Sequence, residues 1–217
     1  MTTYSDEQLM ASLIEEDNLD AFETILARYE KPLLLYIIRL IGDYQKAQDL
    51  YQETFYLIFK KRETFDSRLR FSPWAYRIAT NLCFKELKKK THKLEIFLED
   101  INQGESASPR PINKNIIQAP SDPSHEEKLI KRDLEDKVHD LIKSLPEKLL
   151  SVFILSTYQD LSHQEISKIL DIPLGTVKSR LRKSFKQLHE LIKKRGLINE
   201  LQERRESAHR LCIKYLN

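Results

Sequence analysis

"SHQEISKILDIPLGTVKSRLRKSFKQLHELI", residues 162–192, starts like a helix, breaks once and ends among lysines and arginines. Ser162 and Glu165 have the spacing of a capping box, in which each side chain satisfies an amide of the first turn. Ile166, Ile169 and Leu170 give this short helix one apolar face. In "DIPLG", 171–175, Pro173 disfavours helical geometry at Ile172, and Gly175 relaxes the backbone before a second start. Val177, Leu181, Phe185 and Leu188 then recur every three or four residues as an inward stripe. A short helix, a tight turn and a longer basic helix make a helix-turn-helix. Its second helix would enter the major groove near its own N-terminus. Thr176, Lys178, Ser179 and Arg180 are then the candidates for base edges, and Arg182, Lys183 and Lys186 for phosphates.

The rest of the chain distributes its charge unevenly. The formal net charge is only +3, but Met1–Ala27 holds seven acidic residues and no lysine or arginine. Lys85–Lys93 has five lysines against one acid, and Lys178–Arg195 has eight basic residues against Glu190. Two separated basic patches behind an acidic head suit a polyanion held at two places. At 32% charged residues the chain is too polar for a membrane protein, and "PLLLYIIRLIGD", 32–43, is interrupted by Arg39 well short of a bilayer span. The N-terminus lacks a basic start and an apolar stretch, and the two cysteines, Cys83 and Cys212, are far apart. A cytoplasmic protein without disulfides is expected. His209 and Cys212 lack the further ligands of a tetrahedral metal site, so no metal and no cofactor is expected.

Only four glycines and many helical spacings indicate an all-α chain of two small helical domains joined by a flexible linker, the C-terminal one containing the helix-turn-helix. Phe22, Ile25, Leu26 and Tyr29 form one buried stripe. Pro32 predicts a kink or a new helix, and Gly42-Asp43 a stop. A helix over about 44–61 buries Ala47, Leu50, Tyr51, Phe55, Ile58 and Phe59, leaving the acidic-polar surface of Asp49, Gln52 and Glu53. Ser72 is expected to cap the next helix with Pro73 in its first turn, and Trp74, Ile78 and Leu82 to face inward. Arg68, Arg70, Phe71, Trp74, Arg77 and Asn81, followed by Lys85, Lys88 and Lys89, combine aromatics for stacking on unpaired bases with cations for phosphates. Four of the eight prolines fall within 98–125, which reads as the linker. The domains are thus 1–97, an N-terminal helical body, and 126–195, the helix-turn-helix body. An extension, 196–217, has no role assigned by its residues.

"DLYQETFYLIFKKRETFDSRLRFSPWAYRIATNLCFKELKKK", 49–90, and "LPEKLLSVFILSTYQDLSHQEISKILDIPLGTVKSRLRKSFKQL", 145–188, together resemble the extracytoplasmic-function class of bacterial sigma factors. The first segment looks like the family's core-polymerase-binding and promoter-melting part, the second like its helix-turn-helix module. The resemblance implies a non-catalytic subunit that joins core RNA polymerase and makes it promoter-specific. It implies that Asp49, Gln52 and Glu53 face the polymerase clamp helices. It also implies that Phe65–Phe71 border a loop capturing a flipped −10 base, with Trp74, Arg77, Asn81, Lys85, Lys88 and Lys89 alongside. The C-terminal module would read the −35 element, and the linker would thread toward the RNA exit path. Tyr51 stands where the family usually has a small aliphatic residue. An anti-sigma factor is a further partner by analogy alone.

Two other readings stay open on the residues themselves: a helix-turn-helix regulator acting without stable membership of the polymerase, and a helical protein-binding adaptor. An enzyme is disfavoured, because no metal triad, phosphate-cradling glycine loop or nucleophile with its base stands out.

Overall fold

The computed structural model describes residues 4–102, 137–159 and 161–197, with backbone alone for 92–102. The described elements are helical. They are α1 (Asp6–Glu16), α2 (Leu19–Ile41), α3 (Tyr44–Lys60), a 3-10 turn (Arg62–Thr64), α4 (Phe71–Asn102), α5 (137–143), α6 (Glu147–Tyr158), α7 (His163–Leu170) and α8 (Leu174–Lys194). The all-α expectation holds, in two helical clusters.

The N-terminal cluster is α1–α4. Its helices start where short polar side chains can take up free amides: Ser5 with Gln8 forms a capping box on α1, Asn18 caps α2 and Asp43 caps α3. Gly42, at φ 75°, ends α2 in the left-handed conformation that glycine adopts without strain. Pro32 neither breaks nor restarts the chain; α2 runs through it as one helix. The missing hydrogen bond is outweighed because Leu33, Tyr36, Ile37 and Leu40 bury the turns that follow. Met10, Leu13, Ile25, Leu33, Ile37 and Ile58 are wholly buried. Tyr36 brings a hydroxyl into this core and shares a 2.6 Å hydrogen bond with Thr80 of α4, which in turn donates to the Tyr76 carbonyl. A buried polar group needs such a partner.

The C-terminal cluster packs α6 and α8 around Val152, Phe153, Ile154 and Leu155, with Ile166, Ile169, Val177, Leu181 and Leu188 closing over them. Phe185 meets Phe153 edge-on at 5.4 Å. Ser162 and Glu165 form the expected capping box. The break between α7 and α8 differs from expectation: Asp171, at φ 52°, takes the left-handed conformation, while Gly175 already lies in the first turn of α8. An aspartate tolerates that conformation better than most non-glycine residues.

The start of α4 also differs. The helix begins at Phe71, so Ser72 lies inside it and does not cap it. Its backbone continues to Asn102, into the stretch assigned to the linker from 98; positions 103–136, the rest of that stretch and the resumed periodicity after it, lie outside the described residues. Of the extension, Gly196 and a buried Leu197 are described, and His209 and Cys212 are not.

The clusters touch. Helix α7 packs on α4, and α6 on α2. Replacing the wholly buried Ile25 by alanine should lower unfolding free energy by about 2–5 kcal/mol in denaturant melts. The partly exposed Leu35, on the same helix, should tolerate the change within about 0.5 kcal/mol.

Candidate nucleic-acid interface

Helix α8 presents a basic face because its apolar stripe fixes its rotation. With Val177, Leu181 and Leu188 buried, Lys178, Ser179, Arg182, Lys183 and Lys186 are exposed. Together with Gly175 they line one open groove along the helix. Thr176 and Arg180 are half-buried. The Ser179 hydroxyl donates to the Thr176 carbonyl at 3.0 Å, which turns it toward the backbone, though its remaining lone pairs can still accept. Lys186 lies 4.0 Å from Glu190, an exposed pair with little hold on it. The groove is therefore an array of cations with free donors, suited to phosphate oxygens and base edges.

Helix α4 carries the second group. Arg70, Trp74, Arg77 and Asn81 follow a helical spacing; Arg70, Arg77 and Asn81 are exposed and Trp74 is half-buried. Lys85, Lys88 and Lys89 continue outward, with Lys89 3.6 Å from Glu86. Arg68, 88% exposed, is held by Asp66 at 2.9 Å. Phe71 departs from the expectation that it meets DNA: it is wholly buried, ringed by Tyr29 at 5.1 Å, Phe65 at 5.8 Å and Trp74 at 6.0 Å. Its aromatic ring had the right chemistry for stacking, but three neighbouring rings claim it. Phe71 anchors the strip, while Trp74, whose inner side packs on Phe65 at 5.1 Å, forms part of its surface.

On α3, Asp49, Gln52 and Glu53 are exposed together. Tyr56, one turn further along the same face, is 61% exposed and extends this acidic-polar surface with an aromatic ring; the apolar pattern had given no reason to choose it. Tyr51 fits beside this face by meeting the Phe55 ring edge-on at 5.0 Å. Burial, with Glu30 nearby, raises its phenol above the ordinary range.

Sequence reasoning missed the contacts that join the two basic groups. Arg70 reaches Glu165 of the α7 capping box at 2.5 Å. The Tyr76 hydroxyl donates to Gln159, and the Arg39 guanidinium lies 4.0 Å over the Tyr158 ring. Each pairs residues more than 80 positions apart, beyond any spacing rule. Partial burial pushes the Glu165 carboxyl up, but the Ser162 amide and hydroxyl and the Arg70 charge outweigh it and hold it below the ordinary range. Among the described residues, no three His, Cys, Asp or Glu side chains are grouped to hold a metal ion.

Two family profiles match the chain: "Sigma-70 region 2" over residues 25–93 and "Sigma-70, region 4" over residues 135–188. The extracytoplasmic-function (ECF) RNA polymerase sigma factor SigW of Bacillus subtilis is 29% identical over 83% of this chain and 93% of its own length. The RNA polymerase sigma-H factor of Pseudomonas aeruginosa is 27% identical over 83% and 91%. In fold, the chain is similar to the sigma factor RpoE of Bartonella quintana in its co-crystal with the anti-sigma factor NepR. That match has a TM-score of 0.58 at 22% identity, covering 79% of this chain and 96% of that one. It is also similar to CnrH in complex with the cytosolic domain of CnrY, with a TM-score of 0.61 at 17% identity, covering 88% and 99%.

Because Glu165 is lowered in the folded chain, its ionised form stabilises the fold above the ordinary carboxylate value of 4.5, and that contribution is lost as pH falls through the lower folded value. Thermal melts of Glu165→Gln, which can still cap α7, should show a deficit against the unaltered chain at neutral pH. The deficit should close as the pH is taken below 4.5.

Proposed function

The chain belongs to the extracytoplasmic-function class of the sigma-70 family, and from that premise we propose that it reads promoters at two places and helps to open them. As a sigma factor it is a non-catalytic specificity subunit that binds RNA polymerase for transcription initiation. The observation that carries the finer reading is one chain with an exposed acidic-polar face on α3 and two exposed basic faces, on α4 and α8.

In this reading Asp49, Gln52, Glu53 and Tyr56 dock on core polymerase. The N-terminal half of α8 lies in the major groove of a −35 element, with Arg180 and Lys178 toward bases and Arg182, Lys183 and Lys186 toward phosphates. Trp74, Arg77 and Asn81 meet the −10 element, where Arg68 and Arg70 border a flipped base and the α4 lysines hold the backbone. Unstacking DNA costs a few kcal/mol per step, and capture of an extruded base offsets part of that cost.

The clusters cannot engage both elements while they touch. Elements named −35 and −10 lie about 25 base pairs apart, on the order of 85 Å at ~3.4 Å per base pair. Helix α8 is about 31 Å long at ~1.5 Å per residue and packs on α7, which itself packs on α4. The Arg70–Glu165 pair must therefore part. The 34 residues from 103 to 136 reach up to about 110 Å when extended, enough to span the gap and to keep the second contact at a raised effective concentration. Of the two structurally similar proteins, the sigma factor RpoE is bound to the anti-sigma factor NepR and CnrH to the cytosolic domain of CnrY. A comparable inhibitor holding the touching arrangement would be this chain's second partner.

Adding the purified chain to core polymerase and a promoter library, then mapping transcript starts, should reveal initiation that depends on two sequence elements. Initiation no different from core alone would refute the reading, and operator protection without core would favour a free-standing regulator. Arg180→Ala should relax discrimination at one upstream position by about 1–3 kcal/mol. Lys183→Ala should weaken all sequences alike and reduce the salt slope by about 1.

A further inference from the structure

Helix α4 begins without a cap of its own. Its first residue, Phe71, has a backbone N–H with no intrahelical acceptor, and the preceding residue is Arg70, whose side chain has only donors. The acceptor comes from the other end of the domain: Glu7 of α1 receives the Phe71 N–H on Oε1 at 3.0 Å, across 64 residues of sequence. An anionic oxygen at a helix N-terminus is doubly favoured, by the charge-assisted hydrogen bond and by the helix dipole.

Everything around Glu7 fixes where that oxygen sits. Ser5 and Gln8 close the capping box that starts α1. Asp6, the adjacent residue, accepts from Arg28 at 2.6 Å and from the Tyr29 hydroxyl at 2.7 Å, which locks the register of α1 on α2. Leu9, Met10 and Leu13 bury one face of α1 in the core. The Tyr29 ring then packs on Phe71. Burial tends to raise the Glu7 carboxyl, but the Phe71 amide, the Ser5 hydroxyl and the Arg70 charge bring it below the ordinary range, so it is ionised at neutral pH.

We infer that Glu7 is a positioning residue for the −10-reading surface, setting the rotation and entry angle of the first turn of α4 through the Phe71 amide. The inference rests on the proposed promoter function, because it assigns Arg70, Trp74 and Arg77 to that surface. Arg70 immediately precedes the helix and Trp74 and Arg77 leave it within its first two turns, so a change in how the turn starts moves them most. The lysines further along α4 and the α3 face are moved little.

The test uses holoenzyme reconstituted from core polymerase and full-length chain, with fork-junction promoter probes whose −10 bases are already unpaired. The readout is the affinity ratio between a cognate −10 base and its substituted versions. Glu7→Ala, which removes the acceptor, should lower that ratio about fivefold, the equivalent of a lost cap worth about 1 kcal/mol. Glu7→Asp keeps the charge but withdraws the oxygen by one methylene, and should behave like alanine. Glu7→Gln keeps Oε1 as an acceptor and should stay within about twofold of the unaltered chain. Discrimination at −35 and affinity for core polymerase should not move in any of the three. A ratio unchanged in the alanine and aspartate variants, with only the melting temperature lowered, would reduce Glu7 to a structural contact. A glutamine variant as impaired as alanine would also overturn the inference, because the acceptor would then not be what matters. If the alanine variant does not fold, the aspartate and glutamine pair decides. Absence of any −10 preference in the unaltered holoenzyme would instead count against the promoter reading itself.

Discussion

The first amides of α4 are the constraint around which the N-terminal cluster is organised. A helix cannot satisfy its own opening N–H groups, and this one starts at a buried phenylalanine after an arginine. A serine or aspartate at position 70 would accept from the amide of residue 72 and leave the Phe71 N–H unserved. It would also remove a cation from the surface that the promoter reading requires. The acceptor is supplied by α1, so α1 must be held in register, and the Asp6 contacts to Arg28 and Tyr29 do that. The acidic head of the sequence thereby acquires a structural purpose: two of its seven carboxylates hold the frame on which the first basic strip is built.

The parts of this arrangement that were legible in the sequence are those set by neighbours within one helix. The capping box at Ser162 and Glu165, the inward stripe of α8 and the polar face of α3 all follow from spacings of three or four residues. Most predictions that failed did so where a distant segment decides. Ser72 is a good cap by local chemistry, but α1 already supplies an acceptor one residue earlier. Phe71 is a plausible stacking ring until Tyr29, Phe65 and Trp74 surround it. Of the kink or new helix that Pro32 predicts, the new helix does not occur, because burial on both sides of it carries α2 through. Gly175 looked like the flexible point of the turn, while the left-handed residue is Asp171, whose side chain gave no such signal against a nearby glycine.

The polar contacts between the clusters are weak enough to be regulatory. The Arg70 side chain is 64% exposed, so its pair with Glu165 is screened and worth about 0–1 kcal/mol. A single hydrogen bond such as Tyr76 to Gln159 adds a net ~0.5–1.5 kcal/mol, and the Arg39–Tyr158 contact about 0.5–1 kcal/mol. These terms are small beside the binding free energy of about 11–15 kcal/mol that a specific DNA contact at physiological salt supplies. A ligand shifts such an equilibrium only by its differential affinity for the two states. Under the proposed promoter reading, DNA supplies that difference, since it must separate the clusters to reach both elements. The Arg70 guanidinium adds to it locally: it cannot keep a carboxylate partner and serve a promoter phosphate or base with the same donors. One of the contacts between the clusters is thus made by a residue that the proposed promoter binding would recruit, which in that reading couples opening to recognition.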